Sequence, residues 1–186
     1  MRAFIAFELP PEITRLAADL QAHLKRQGLK LRWVRPGNIH LTLRFLGEIP
    51  SAQTAAVAQA MRTAAQGGAP AQLSVQGMGV FPGLRKPRVV WIGLGGQTDG
   101  LGQTAVRLEA ELALLGLPRE ERPFKAHLTL ARIQTPVEAR LLQGAIEVCG
   151  AFAPQPFLAA EMVLFQSDLR PQGPIYTSLA RATLGE

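Results

Sequence analysis

The sequence predicts an α+β fold in which mostly antiparallel sheets carry helices on their outer faces. Three observations lead there. Segments with strand character outnumber the helices that could act as crossovers, and they come in adjacent pairs, which favours hairpins over parallel βαβ units. The order helix, strand, helix, strand, strand occurs twice, over roughly residues 11–94 and 99–184, after one extra opening strand. The stretch Arg35-Pro36-Gly37-Asn38-Ile39-His40-Leu41-Thr42-Leu43 recurs 87 residues later as Arg122-Pro123-Phe124-Lys125-Ala126-His127-Leu128-Thr129-Leu130, identical at six of nine positions without a gap. A single domain over residues 1–186, built on this duplication, is expected.

Residues 2–9 read as the opening strand. Pro10-Pro11-Glu12 starts a helix, since proline suits a first helical turn, and Ile13, Leu16, Ala17, Leu20 and Leu24 follow at helical spacing up to a stop at Gly28. A short strand at 31–34 and a turn at Pro36-Gly37 lead to the first motif strand, 39–46. Ser51 offers a cap for an alanine-rich helix that ends at Gly67-Gly68. Strands at 71–78 and 88–94 follow, and residues 93–102, with five glycines, form the crossing between halves. In the second half, Asp99 caps a helix to Gly116 with Leu101, Leu108, Leu112 and Leu115 as its apolar stripe. The second motif strand, 126–133, comes next. A helix from Thr135-Pro136 to about Val148 and strands at 157–166 and 175–183 complete the chain.

Composition excludes more than it assigns. With 47% hydrophobic and 18% charged residues the chain should fold. It has no apolar run of membrane-spanning length and no signal-peptide pattern at the start, so the cytosol is the default location, with a monomer as the expected state. The single cysteine, Cys149, reads as a small buried or half-buried thiol. A net charge of +6 favours an anionic partner, and basic residues gather around both motif copies: Arg32, Arg35 and Arg44 at the first, Arg122, Lys125 and Arg132 at the second.

Within a strand, His40 and Thr42 project from one face and Leu41 and Leu43 from the other; the same holds for His127 and Thr129. Two of the three histidines thus occupy equivalent places in a duplicated element. This points to a symmetrical cleft with one imidazole from each half. A metal site is disfavoured, because neither copy places another His, Cys or carboxylate at ligand spacing. No serine sits in a glycine-flanked turn, and no glycine loop has the spacing that cradles phosphates. The histidines themselves remain as acid and base. Such a pair suits in-line displacement at phosphorus, where attacking and leaving oxygens lie on opposite sides, with threonine hydroxyls and an arginine holding the nonbridging oxygens.

The paired His-Leu-Thr-Leu strands resemble the motifs of the two-histidine phosphoesterase superfamily. Arg32-Trp33-Val34, the run His40 to Glu48, Phe81-Pro82 with Pro87-Arg88-Val89, the run His127 to Arg132, and Pro171-Gln172-Gly173-Pro174-Ile175-Tyr176 together resemble the bacterial and archaeal RNA 2′,3′-cyclic phosphodiesterases, also called 2′-5′ RNA ligases. The resemblance implies a bilobal fold with a central groove, no metal and no ATP or other cofactor, RNA with a 2′,3′-cyclic phosphate end as partner, and hydrolysis to a 2′-phosphate. It implies His40 as proton donor to the leaving ribose oxygen, His127 as the base that activates water, and Thr42 and Thr129 as phosphate ligands. Arg132 matches an arginine of close relatives, but it stands five residues past His127, so alternation alone would turn it away and a bend is needed. Gly37 and Ala126 depart from the glutamate and proline more usual there.

Phe45, Trp33, Phe81 and Tyr176 are candidates for stacking on a terminal base, Tyr176 foremost for its polar phenol. His23 reads as a surface residue. Two alternatives stay open: action on another small cyclic nucleotide or phosphodiester, and an RNA-end binding module without turnover.

Overall fold

Proline at the first position of α1 (Pro11–Arg26) and the spacing of Ile13, Ala17, Leu20 and Leu24 give a helix with one fully buried stripe. The same logic of one apolar face governs the other helices in the computed structural model, which describes all residues, Met1–Glu186. The order is β1 (Arg2–Phe7), α1, β2 (Arg32–Trp33), a 3-10 turn (Pro36–Asn38), β3 (Leu41–Glu48), a second 3-10 turn (Ser51–Gln53), α2 (Thr54–Gln66), β4 (Ala71–Phe81), β5 (Val89–Gly96), α3 (Thr98–Leu114), β6 (His127–Arg132), α4 (Ala139–Gly150), β7 (Gln155–Ala159), β8 (Glu161–Asp168) and β9 (Ile175–Thr183).

All nine strands join in one sheet, in the order β7-β4-β5-β6-β3-β1-β8-β9, with β2 also against β6. Every pairing is antiparallel. The two motif strands meet in the middle. The outer strands are exchanged between the sequence halves: the hairpin β4–β5 of the first half flanks β6, and the hairpin β8–β9 of the second half lies beyond β1 on the β3 side. Residues 157–166, expected as one strand, are two. Ala160 alone separates β7, which pairs with β4, from β8, which pairs with β1. These strands lie near opposite ends of the order, so the sheet curls until its ends approach. The apolar run hides this break because both pieces bury side chains. The last helix also begins later than expected, at Ala139, leaving Thr135-Pro136 in its approach.

All four helices cover one face of the sheet and share with it a cluster of 40 buried residues, including Ile5, Phe7, Leu41, Leu43, Leu128 and Leu130. The opposite, concave face carries a small cluster of Phe4, Ala6, Val163 and Phe165, against which Tyr176 packs. Alternation along β1 explains the split, Ala3, Ile5 and Phe7 serving one face and Phe4 and Ala6 the other.

Two bulges at equivalent positions adjust this alternation. Between β1 and β3 the register steps from Arg44 to Thr42, leaving Leu43 unmatched; between β5 and β6 it steps from Ala131 to Thr129, leaving Leu130 unmatched. An extra residue reverses which face the following side chains take. Leu130 and Ala131 are therefore both buried in the core, and Arg132 returns to the face of His127 and Thr129. The Leu130 carbonyl accepts from the Val34 amide at 2.9 Å and from Gln21 Nε2, also at 2.9 Å, and the same Gln21 nitrogen donates to the Val34 carbonyl at 2.7 Å. Gln21 is one of two buried polar side chains, at 2% exposure, and ties α1 to the bulge. Gln21→Leu should preserve packing but remove both bonds, lowering the unfolding free energy by about 1–3 kcal/mol. Urea melts would show this as a lower midpoint at unchanged slope; a wild-type midpoint would mean that the carboxamide does not stabilise the junction.

Candidate active site

The only ladder pair between the motif strands is Leu41 with Leu128, both fully buried on the helix side. Antiparallel counting from that pair sets His40 beside Thr129 and Thr42 beside His127. All four side chains point away from the leucines, into the concave face. One register thus gathers two imidazoles and two hydroxyls from residues 87 positions apart in sequence.

The two imidazoles have different surroundings. His40 stacks on Phe4 with ring centroids 4.6 Å apart and planes 19° from parallel, meets the edge of Tyr176 at 5.3 Å, and has Phe165 at 6.1 Å. Burial in this aromatic wall pushes its pKa down to about 4, with a hydrogen bond to the Asn38 backbone opposing the shift. His127, equally half-buried, has fewer aromatic neighbours. Its Nδ1 lies 2.7 Å from the Lys125 carbonyl, and Phe81 stands perpendicular to it at 5.0 Å, with Lys125 Nζ 5.7 Å from the Phe81 ring. Each imidazole thus bonds to the backbone two residues before it. The Lys125 carbonyl can only accept, so Nδ1 carries the proton of this bond and Nε2 is the ring nitrogen left without a partner.

Arg132 and Phe45 hold equivalent places after the two bulges, 87 residues apart, and both face the groove. Phe45 is half exposed, at 52%, with its ring 6.0 Å from Phe4. The Tyr176 phenol is pushed up by burial, while the nearby Arg132 and Arg2 guanidiniums act against this. Arg132 therefore lies within reach of the aromatic wall, and the bend it needs is the Leu130 bulge. Trp91, opposite Thr129, also belongs to the groove face; its ring lies so close to Gly79 that a Cβ there would come within 2.3 Å of it. Of the stacking candidates, Phe45, Phe81 and Tyr176 border the groove. Trp33 instead packs against the core, with Lys25 Nζ 5.3 Å from its ring. Arg44 is also elsewhere: only 10% of its side chain is exposed, and it pairs with Glu109 and Glu120. His23 is exposed and Cys149 buried, as expected.

Phe4, Phe165 and Asn38 escaped sequence reasoning. The alternation of Arg2–Phe7 sets Phe4 on one face, but only the strand order brings it to His40. No three His, Cys, Asp or Glu side chains group as metal ligands. No helix is long and apolar enough to cross a membrane. A cavity of about 890 Å³ beside α3 reaches Ala126 but is lined by neither histidine; Arg107 in its wall is engaged by the Ala64 carbonyl and Thr104 Oγ1.

The family model described as LigT like Phosphoesterase matches the chain twice, over residues 7–91 and 92–176. Among curated relatives, the RNA 2′,3′-cyclic phosphodiesterase of Methanothermobacter thermautotrophicus is 30% identical over 179 residues, covering 96% of each chain. That of Thermus thermophilus is 33% identical over 193 residues, covering 99% of this chain and 90% of the relative. Among solved structures, a Thermus thermophilus protein superposes with a TM-score of 0.82 at 29% identity, covering 100% of this chain and 98% of that one. Escherichia coli LigT complexed with 3′-AMP superposes with a TM-score of 0.74 at 26% identity, with the same coverage.

With its pKa near 4 rather than 6.5, His40 is neutral at pH 6 in the free protein. An anion seated between the imidazoles favours the charged form and should raise that pKa, so binding takes up a proton. Histidine NMR titrations with and without sulfate, which does not itself titrate in this range, should show the His40 midpoint rising by about one pH unit or more. An unmoved midpoint at saturating sulfate would place the anion away from His40.

Proposed function

This chain belongs to the LigT-like phosphoesterase family, and from that premise we propose that it hydrolyses the terminal 2′,3′-cyclic phosphate of RNA to a 2′-phosphate, with His40 as acid and His127 as base. The relatives named RNA 2′,3′-cyclic phosphodiesterase support the reaction. The observation that carries the division of labour is the single Leu41–Leu128 register, which sets two imidazoles of unlike environment around one concave site.

In the proposed step, His127 Nε2 takes a proton from water as the water oxygen bonds to phosphorus. Its Nδ1–H, bonded to Lys125, holds the ring in the accepting tautomer. On the opposite side the P–O3′ bond breaks and His40 protonates the departing oxygen, so the phosphate stays on O2′. Thr42, Thr129 and Arg132 hold the nonbridging oxygens and offset charge developing there. Attack by a 5′-hydroxyl in place of water gives a 2′-5′ linkage by the same geometry without ATP.

Burial alone would favour the reverse assignment, with neutral His40 as base. The family resemblance assigns His40 as the acid, and the substrate permits this: a phosphodiester is anionic, and its charge raises the pKa of an imidazole it touches. His40 therefore acquires its proton with the substrate. The ribose side of the phosphate then faces Phe4, Phe45 and Tyr176, which gives the terminal nucleoside an apolar wall, and an RNA end fits this better than a bare small phosphodiester. E. coli LigT was crystallised with a mononucleotide, 3′-AMP, which supports nucleotide-sized occupancy of this fold.

Turnover of an oligonucleotide ending in a 2′,3′-cyclic phosphate should fall about 10²-fold or more in His40→Ala and in His127→Ala, with circular dichroism unchanged. Near-normal turnover by either folded variant would refute the paired mechanism. Intact RNA-end binding with no turnover by the wild-type protein would instead leave a binding module.

A further inference from the structure

The segment that enters the first motif strand and the loop between β8 and β9 are 136 residues apart yet joined at two points. Arg35 donates from its guanidinium to the Gln172 carbonyl, and Asn38 Nδ2 donates to the Pro174 carbonyl at 2.9 Å. Between these two carbonyls, Gly173 turns with φ at 110°, a conformation that L side chains rarely adopt, and lies against the Arg35 guanidinium. Two residues beyond Pro174, Tyr176 presents its ring edge-on to His40 at 5.3 Å. Asn38 also hydrogen-bonds His40 through its own backbone. It is thus held at both ends: its backbone meets the imidazole, and its side chain meets the loop that delivers the tyrosine covering that imidazole.

The second motif copy has no such arrangement. Arg122, equivalent to Arg35, is 87% exposed and pairs with Glu120; Lys125, equivalent to Asn38, extends over Phe81. His127 accordingly has only Phe81 as an aromatic neighbour, while His40 lies among Phe4, Phe165 and Tyr176. Both histidines are followed by the same Leu-Thr-Leu, so the difference between them comes from what surrounds that motif.

We propose that Asn38, with Arg35 and the loop 169–174, forms a latch that positions His40 for proton transfer, making Asn38 and Arg35 positioning residues of the reaction without contact with the phosphate. The latch works through Tyr176: it holds the phenol ring over the imidazole, excludes water from one side of it, and leaves the groove side as the route for the proton. The charged groups around this arrangement are Arg35 itself, the Arg170–Asp168 ion pair at the base of the loop and, near the Tyr176 phenol, Arg132 of β6 and Arg2 of β1. Asp168 is engaged by Arg170, and no carboxylate acts on His40, whose surroundings are the aromatic wall and the Asn38 backbone. The kinetic part of the inference rests on His40 being the acid of the proposed reaction; the structural part does not.

The test compares Asn38→Ala, which removes the side-chain tie, with Gly173→Val, which leaves Asn38 intact and strains the loop instead. Arg122→Ala, at the equivalent position of the other copy, is the control. Histidine NMR titration of the free proteins reads the enclosure directly. In both latch variants the His40 midpoint should rise by about one pH unit or more towards its ordinary value, as water regains access. With the cyclic-phosphate oligonucleotide, kcat should fall about tenfold or more while KM changes much less, because orientation is lost and phosphate contacts are kept. Arg122→Ala should match wild type in both. A wild-type His40 titration in both folded latch variants overturns the proposal, as does a raised midpoint with unchanged kcat. Should the wild-type protein not turn over the oligonucleotide at all, the proposed function falls, while the titration still decides whether the latch exists.

Discussion

The register of a single pair of leucines governs this molecule. Leu41 and Leu128 are the only residues at which the two motif strands are laddered, and their burial on the helix side obliges the neighbours on either side to face the groove. A slip of one residue in either strand would send that strand's leucine to the groove and its histidine and threonine into the core. The hydrophobic effect that sets this register therefore also assembles the site. Strand exchange reinforces it: β6 is flanked by the first half's hairpin β4–β5, and β3 is tied through β1 to the second half's hairpin β8–β9, so neither half can shift without disturbing the other.

Duplication supplies two equivalent imidazoles, and the acid and base of the proposed reaction must differ; what surrounds the two rings does differ. Around His40 the positions on β1 and β8 are Phe4, Ala6, Val163 and Phe165. Around His127 the corresponding strands β5 and β4 offer Trp91, Gly93, Gly79 and Phe81. The bulges at Leu43 and Leu130 are equivalent, yet they deliver Phe45 to one lobe and Arg132 to the other. The same backbone device thus brings an apolar ring to one side of the groove and a cation to the other. Symmetry positions the groups, and its local failure gives them unlike surroundings.

Much of this was legible in the chain. The nine-residue repeat located both histidines and both threonines, and alternation alone set each pair on one face. Hairpin pairing and the outer helices followed from counting strands against crossovers. The long-range partners were not legible. That residues 157–166 serve two distant strands depends on which edges they join, and their apolar run is the same whichever edge that is. The orientation of Arg132 needed the bulge at Leu130, and the bulge depends on Gln21 and Val34, which no local pattern links to it. Arg44, grouped with the groove by its position beside the motif, was instead claimed by Glu109 and Glu120, because the first bulge keeps it on the helix side. Phe4 and Phe165, which make His40 unlike His127, come from strands whose order in the sheet no local pattern records.

The measurement that bears most directly on the account is phosphorus NMR of the product formed from an oligonucleotide ending in a 2′,3′-cyclic phosphate, with the reaction run in EDTA. With O3′ held against His40 and water at His127, a 2′-phosphate with a free 3′-hydroxyl is the expected product, at a rate indifferent to the chelator. A 3′-phosphate, or activity that vanishes in EDTA and returns with a divalent cation, would contradict the assignment of these two imidazoles as the acid and base.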